Sequence, residues 1–268
     1  MFTLRVITVV ILSFVIFPAE GIVRRLESGE PAKSLSRFVD YPANARKDIF
    51  RPNTNFWAKG IDFSCASPWN SSSGALRAGT LISRRHIVYA AHYPLAAGTR
   101  IVFVDGDGNV CPCNLEKSKK IAGTDIMIGS LNAEVTPNIN PARLLPPDFA
   151  KCLNGCGAGL PIATFNRQEK LFLTAAGAIP TSRSPNAYAH SLIPARKEFQ
   201  NHRERIVVGD SGNPAFLLLN GEPVLLYCLH YGGCGAGPAL HLYAFEIQCI
   251  MDELCPGYRL EFYKFNGR

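Results

Sequence analysis

Along most of its length the chain sets short apolar runs between clusters of polar, glycine and proline residues, the spacing of strands and turns rather than of amphipathic helices. Gly79-Thr80-Leu81-Ile82, a polar turn at Ser83 to Arg85, and Ile87-Val88-Tyr89 read as a hairpin. Thr99 to Val104, a turn at Asp105 to Asn109 and a strand entering at Val110 read as the next one. Further strands are expected at Gly159 to Phe165, Leu171 to Ala178, Ala215 to Leu219 and Val224 to Leu229. Between the last two, Asn220-Gly221 is the sharpest hairpin signal, because a two-residue turn needs φ > 0 at both central positions. Near the C-terminus the period changes: over Phe245 to Leu254, Ile247, Ile250, Met251 and Leu254 fall on one helical face. A proline-rich stretch at Pro137 to Pro147 separates two halves. The pattern predicts an all-β body over 56–268, with β units at roughly 56–140 and 148–243, a C-terminal helix at 244–254 and a short tail.

The first residues follow another rule. Arg5 precedes an apolar run from Val6 to Phe17, and Ala19 and Gly21 are small residues at alternate positions, as a signal peptide cut after Gly21 requires. The run is short for a membrane span. Export to a secreted or periplasmic location is therefore expected, with no stable membrane insertion after cleavage. Residues 22–55 are polar and proline-punctuated and read as an extended arm or pro-like segment laid on the body.

Composition sharpens this picture. The chain of 268 residues is 47% hydrophobic and 18% charged, enough apolar material for a sizeable core. Its net charge of +7 is spread over Arg24-Arg25, Arg84-Arg85, Lys117 to Lys120 and Arg203/Arg205 without interleaved aromatics, so a solvated basic surface is expected and nucleic-acid binding is not. The 9 cysteines suit an oxidising compartment. Cys152/Cys156, Cys228/Cys234 and Cys249/Cys255 invite local bridges, and Cys65 could meet Cys111 or Cys113, one cysteine remaining unpaired. Cys111-Pro112-Cys113 lacks the matching pair of a zinc site. Asp105, Asp107 and Asn109 alternate as in a calcium loop, with Glu116 at the bidentate position, but Val110 stands where the loop needs glycine, and a hairpin turn is the better reading. Asn70-Ser71-Ser72 is a glycosylation sequon only in a eukaryotic secretory route.

Three local sequences carry candidate chemistry, in this order: Ala90-Ala91-His92, Thr124-Asp125-Ile126-Met127-Ile128 and Gly209-Asp210-Ser211-Gly212-Asn213-Pro214. Together they supply what acyl transfer requires: a hydroxyl nucleophile in Ser211, a base in His92 and a carboxylate in Asp125 to hold the base's tautomer. The glycines beside Ser211 permit a tight backbone in which the N–H groups of Gly209 and Ser211 converge as an oxyanion hole. Asp210, beside the nucleophile, needs a cationic or hydrogen-bonding partner if buried.

On these residues the chain resembles the trypsin/chymotrypsin family of serine proteases. Thr80 to Ser83 followed by His86 to His92 is similar to that family's strand pair leading to its histidine; Asp125 to Ile128 resembles its aspartate segment, and Gly209 to Pro214 its serine loop. With gaps, the resemblance covers roughly Gly74 to Leu254. It implies two six-stranded β-barrels with the site in the cleft between them, endopeptidase activity on a protein or peptide substrate through an acyl-enzyme, and no cofactor or metal. It also implies that His230, Tyr231 and Gly232 belong to an edge strand pairing with substrate, and that Arg205 lies at the offset of the residue at the floor of the specificity pocket; pointing inward it would favour an acidic side chain, and pointing outward it would be solvated. In trypsin-like relatives a new Ile-Val N-terminus neutralises the residue corresponding to Asp210. Here Ile22-Val23 is followed by Arg24-Arg25 and lies far from His92, so Asp210 is expected to be held by internal donors instead. Tyr93 stands where many relatives carry a bridging cysteine, and Asn213 where glycine is usual. A protease-like binding module without catalysis, or a disulfide-rich secreted structural protein, are the rival functions; the first keeps the fold and loses the chemistry.

Overall fold

The computed structural model describes residues 34–41, 48–68, 79–184, 187–195 and 197–265. The signal segment at Met1 to Gly21, Ile22-Val23 and the sequon at Asn70 lie outside the described residues.

Strand pairing begins in the arm, where β1 (Phe38–Val39) meets β2 (Arg51–Pro52). A five-stranded sheet follows, built from β3 (Thr80–Ser83), β4 (His86–Ala90), β5 (Arg100–Val104), β6 (Val110–Lys120) and β7 (Ile126–Leu131) in the order β3-β4-β7-β6-β5. β3 and β4 are buried throughout, whereas β6 opens with Cys111, Cys113 and Leu115 inward and Pro112, Asn114 and Glu116 outward. That is the period-two pattern of a half-covered strand. The Asp105–Asn109 segment is a hairpin loop: the Asp105 carboxylate accepts from the backbone N–H groups of Asp107 and Asn109 and from the Asn109 amide.

The second sheet comprises β8 (Arg143–Leu144), β9 (Pro161–Phe165), β10 (Leu171–Ala176), β11 (Tyr188–Leu192), β12 (Pro214–Leu219), β13 (Glu222–Cys228) and β14 (Ala236–Pro238). Its order is β14-β11-β10-β9-β12-β13-β8, antiparallel except where β8 joins β13. Asn220 at φ 50 and Gly221 at φ 82 close the β12/β13 hairpin, the backbone that this turn demands. The predicted hairpins and the C-terminal helix α1 (Ala244–Leu254) are in place, with Ile247, Ile250 and Met251 on its buried face. Both sheets curl into half-barrels, an architecture compatible with a chymotrypsin-like fold. The pairing differs from two six-stranded barrels: five strands form one sheet, and the other reaches seven by enlisting the two-residue β8 and the three-residue β14. One apolar core runs through both, since Phe63 packs against Phe165 and Phe216 while Leu81, Ile87 and Ile128 continue it in the first sheet. All nine cysteines are free thiols, so none of the bridges expected from the sequence is formed here.

The described part of the arm ties the sheets together. Phe38 and Phe50 pack on Val102 and Val104 of the first sheet. Arg37 N–H donates to the Glu169 carbonyl, Leu171 N–H to the Leu35 carbonyl, and the Trp57 indole to the Leu171 carbonyl in the second. At the junction the buried Arg37 guanidinium donates to the carbonyls of Ala66 and Val104 and stands 3.7 Å from the equally buried Glu169. Two Arg37 N–H groups go to carbonyls and none to Glu169, so Arg37 offsets only part of the cost of burying the carboxylate, and Glu169 Oε2 has no hydrogen-bond partner. Burial pushes the Glu169 carboxyl up from 4.5 to about 7, against the opposing pull of Arg37.

The sign of the stability effect follows. The folded chain keeps a proton that the unfolded chain releases, so Glu169's contribution is complete below about 4.5 and is lost as pH rises through about 7. Between pH 5 and 8 the wild type should lose up to roughly 3 kcal/mol relative to Glu169→Gln, which cannot titrate. Urea unfolding of both proteins at the two pH values checks this, and parallel profiles would exclude it.

Candidate functional site

His92 follows β4 and Asp125 precedes β7; these strands are paired, with Ala90 opposite Ile126, so their ends bring the two residues side by side. Ala91 N–H donates to the Asp125 backbone carbonyl at 3.0 Å. Asp125 is buried and holds His92 at two points: Oδ1 accepts from the His92 backbone N–H at 2.7 Å, and Oδ2 lies 2.7 Å from the ring Nδ1. An ionised carboxylate only accepts, so Nδ1 carries a proton and Nε2 presents its lone pair. The His92 ring is 37% exposed, open on the side away from Asp125.

The Ser211 loop is built from the second sheet. Gly212 N–H donates to the Leu229 carbonyl and Leu229 N–H to the Asn213 carbonyl, which fixes the loop against the chain leaving β13. Asp210 is fully buried beneath it. Its Oδ1 accepts from the Arg167 backbone N–H at 2.9 Å and its Oδ2 from that of Val207 at 2.8 Å, while its carbonyl takes the Asn213 side-chain amide. These are internal donors. Gly209 stands at φ +100, a conformation that calls for glycine, and the Arg167 side chain lies over it. Among the described residues, neither Gly209 nor Ser211 donates its N–H to a protein acceptor.

Ser211 lines a cavity of about 490 Å³ with Arg205, Val207, Val208, His230 and Tyr231 among its walls. Gly232 and Gly233 complete the rim on the His230 side. Arg205 is exposed and faces this cavity, not a buried floor. His230 joins the two halves of the site. Its ring stacks on His92 with centroids 4.7 Å apart and planes at 25°, and on Tyr231 at 4.3 Å. His230 Nδ1 stands 3.4 Å from Asp125 Oδ2 and 2.7 Å from the Tyr188 hydroxyl. Burial holds the His230 ring below the ordinary imidazole value, with His92 adding to this and Asp125 opposing it. Burial pushes the Tyr188 phenol up to about 12, so it stays protonated. Among the described residues no hydrogen bond joins Ser211 to His92.

The sequence pointed to His92, Asp125, Gly209, Asp210 and Ser211, and to His230 as a strand residue beside substrate. It did not indicate that His230 shares the carboxylate of Asp125, that Tyr188 anchors it, or that Arg167 and Val207 hold Asp210. Two of these rest on backbone N–H groups, which leave no trace in residue identity. The chain matches no protein-family model and no curated protein.

Because the fully buried Asp210 is the acceptor for two backbone N–H groups, Asp210→Ala should cost on the order of 2 kcal/mol. Asp210→Asn, which keeps one acceptor oxygen, should cost less. Denaturant unfolding of the two variants gives the ranking, and equal stability with the wild type would mean that other acceptors replace the carboxylate.

Proposed function

We propose that this chain is an exported serine endopeptidase of the chymotrypsin-like kind, in which Ser211 attacks a peptide carbonyl with His92 as general base. The observation that carries the reading is the two-point hold of Asp125 on His92, because it pins the ring tautomer whose Nε2 can take a hydroxyl proton. In the proposed reaction Nε2 removes the Ser211 proton as Oγ bonds to the carbonyl carbon. The N–H groups of Gly209 and Ser211 stabilise the oxyanion. The C–N bond breaks as Nε2 returns its proton to the leaving amine, and water repeats the sequence to release the acyl group. Arg205 and the exposed Val207, Val208 and Tyr231 give the cavity a cation and an apolar rim. A peptide with an acidic side chain beside an apolar one matches those walls by charge and burial. Secretion or periplasmic export, followed by release from the leader, completes the reading; among the described residues no helix is long and apolar enough to cross a membrane.

A second reading, a protease-like binding module, draws on the missing Ser211 to His92 hydrogen bond. Catalytic hydrogen bonds are often long or poorly aligned in the absence of substrate, so the missing bond is compatible with either reading. A fluorophosphonate probe does, because only an activated serine reacts with it. Wild type should label at one site. Ser211→Ala should not label, and its ester or amide hydrolysis should fall by on the order of a thousandfold or more with an unchanged circular dichroism spectrum. Labelling that survives the substitution would overturn the assignment.

The internal donors on Asp210 support a site that needs no amine from a freshly cut N-terminus. A secreted form carrying a few extra residues ahead of Ile22 should therefore hydrolyse substrate as fast as the form that begins at Ile22. A collapse rescued by trimming back to Ile22 would show that an N-terminal amine is required after all.

A further inference from the structure

The arrangement around Asp125 contains one more potential donor than the proposed hydrolysis uses. Donor atoms of His92, Asp125 and His230 all lie within 4.8 Å of one another. The set, two imidazoles and a carboxylate, is one that binds zinc with a water completing the coordination. We propose that these three residues form a binding site for a borderline-soft divalent cation of the Zn²⁺ kind, and that its occupancy silences the serine chemistry. The silencing half rests on the function proposed above, whereas the binding half stands on the donor geometry alone.

Tetrahedral zinc with bonds of about 2.0–2.1 Å sets its donors about 3.4 Å apart. His230 Nδ1 and Asp125 Oδ2 already have that separation, at 3.4 Å. His92 Nδ1 is closer to Oδ2, at 2.7 Å, because a proton now lies between them. Admitting the ion requires the His92 ring to move outward and turn about its Cβ–Cγ bond, bringing its lone pair off the stacked orientation toward the metal. Its 37% exposed side leaves room for that motion and for an entering hydrated ion. The Tyr188 hydroxyl, 2.7 Å from His230 Nδ1, now occupies the nitrogen that the ion would take and gives it up when the ion binds.

The consequence for catalysis comes from the tautomer. Coordination at Nδ1 forms a metal–nitrogen bond and transfers the ring proton through solvent to Nε2, with no change of oxidation state and no net proton loss from a neutral ring. Nε2 then carries a hydrogen and cannot accept one from Ser211. The same carboxylate oxygen that orients the base is taken up by the ion.

The test uses the tag-free secreted protein, treated with chelator and then titrated with Co²⁺, whose visible d–d absorption reports tetrahedral coordination whether or not the protein hydrolyses anything. One Co²⁺ should bind per chain, with the affinity falling by roughly a hundredfold in both His230→Gln and His230→Ala. In parallel, the ratio of fluorophosphonate labelling with and without Zn²⁺ should fall at least about tenfold in the wild type and stay near one in His230→Gln. Absence of a Co²⁺ band, or equal binding by wild type and both variants, overturns the site. A Co²⁺ band that depends on His230, together with labelling that Zn²⁺ leaves unchanged, keeps the site and overturns the silencing. A chain that never labels but binds Co²⁺ through His230 fails the serine reading alone.

Discussion

Asp125 keeps only 9% of its surface, and a carboxylate that deeply placed must be answered by donors or lose its charge. It is answered twice by one residue, through the backbone N–H and the ring Nδ1 of His92. That constraint reaches well beyond the pair. The ring can be gripped only if β4 and β7 are neighbours in the right register, with Ala90 opposite Ile126. The register in turn is held by tight packing in the buried strands, where a one-residue slip would bring a side chain into the place of Gly129, whose Cβ would meet Leu115 Cδ1 at 2.4 Å and Ile87 Cγ1 at 3.2 Å. The apolar pattern of the first sheet and the tautomer of one imidazole are thus two ends of a single mechanical chain.

The second sheet repeats this logic with a different currency. Asp210 is satisfied entirely by backbone N–H groups, from the β9/β10 loop at Arg167 and from Val207 three residues earlier in its own loop. Backbone donors do not titrate and do not change rotamer, so the loop carrying Ser211 is fixed by the strand connections themselves. Arg37 in the arm then joins the same β9/β10 region to the first sheet, through its backbone N–H on Glu169 and its guanidinium on Val104, and Trp57, just past the arm, donates to Leu171. The arm therefore bridges the two carboxylate-centred halves through contacts remote from either histidine.

The sequence made the hairpins legible because two-residue turns and buried apolar runs are local signals. Asn220-Gly221 and the buried β12 that precedes it need no partner to be read. Short edge elements were not legible: β8 and β14 are two and three residues long, and β11 alternates too weakly across Tyr188 to Leu192 to stand out from its flanking loops. The order His92, Asp125, Ser211 could be read as candidate chemistry since each lies in a recognisable local context. His230 shows where such reading stops. Its relation to Asp125 depends on how the chain leaving β13 meets the end of β4 across the sheet boundary, and no spacing along the sequence encodes a 4.7 Å ring stack.

His230 also changes what Asp125 is asked to do. A carboxylate with one histidine orients one ring; a carboxylate whose same oxygen lies 2.7 Å from one imidazole nitrogen and 3.4 Å from another must divide its field between them. The nearer ring holds the proton, and the farther one is drawn instead toward Tyr188, whose hydroxyl matches it at 2.7 Å. Removing Tyr188's hydroxyl would leave His230 with Asp125 as its nearest polar neighbour, so the phenol's structural effect is to keep the second imidazole from competing for the first one's acceptor. In this arrangement the proposed base owes its orientation to two residues at once: Asp125, which grips it, and Tyr188, which occupies its rival.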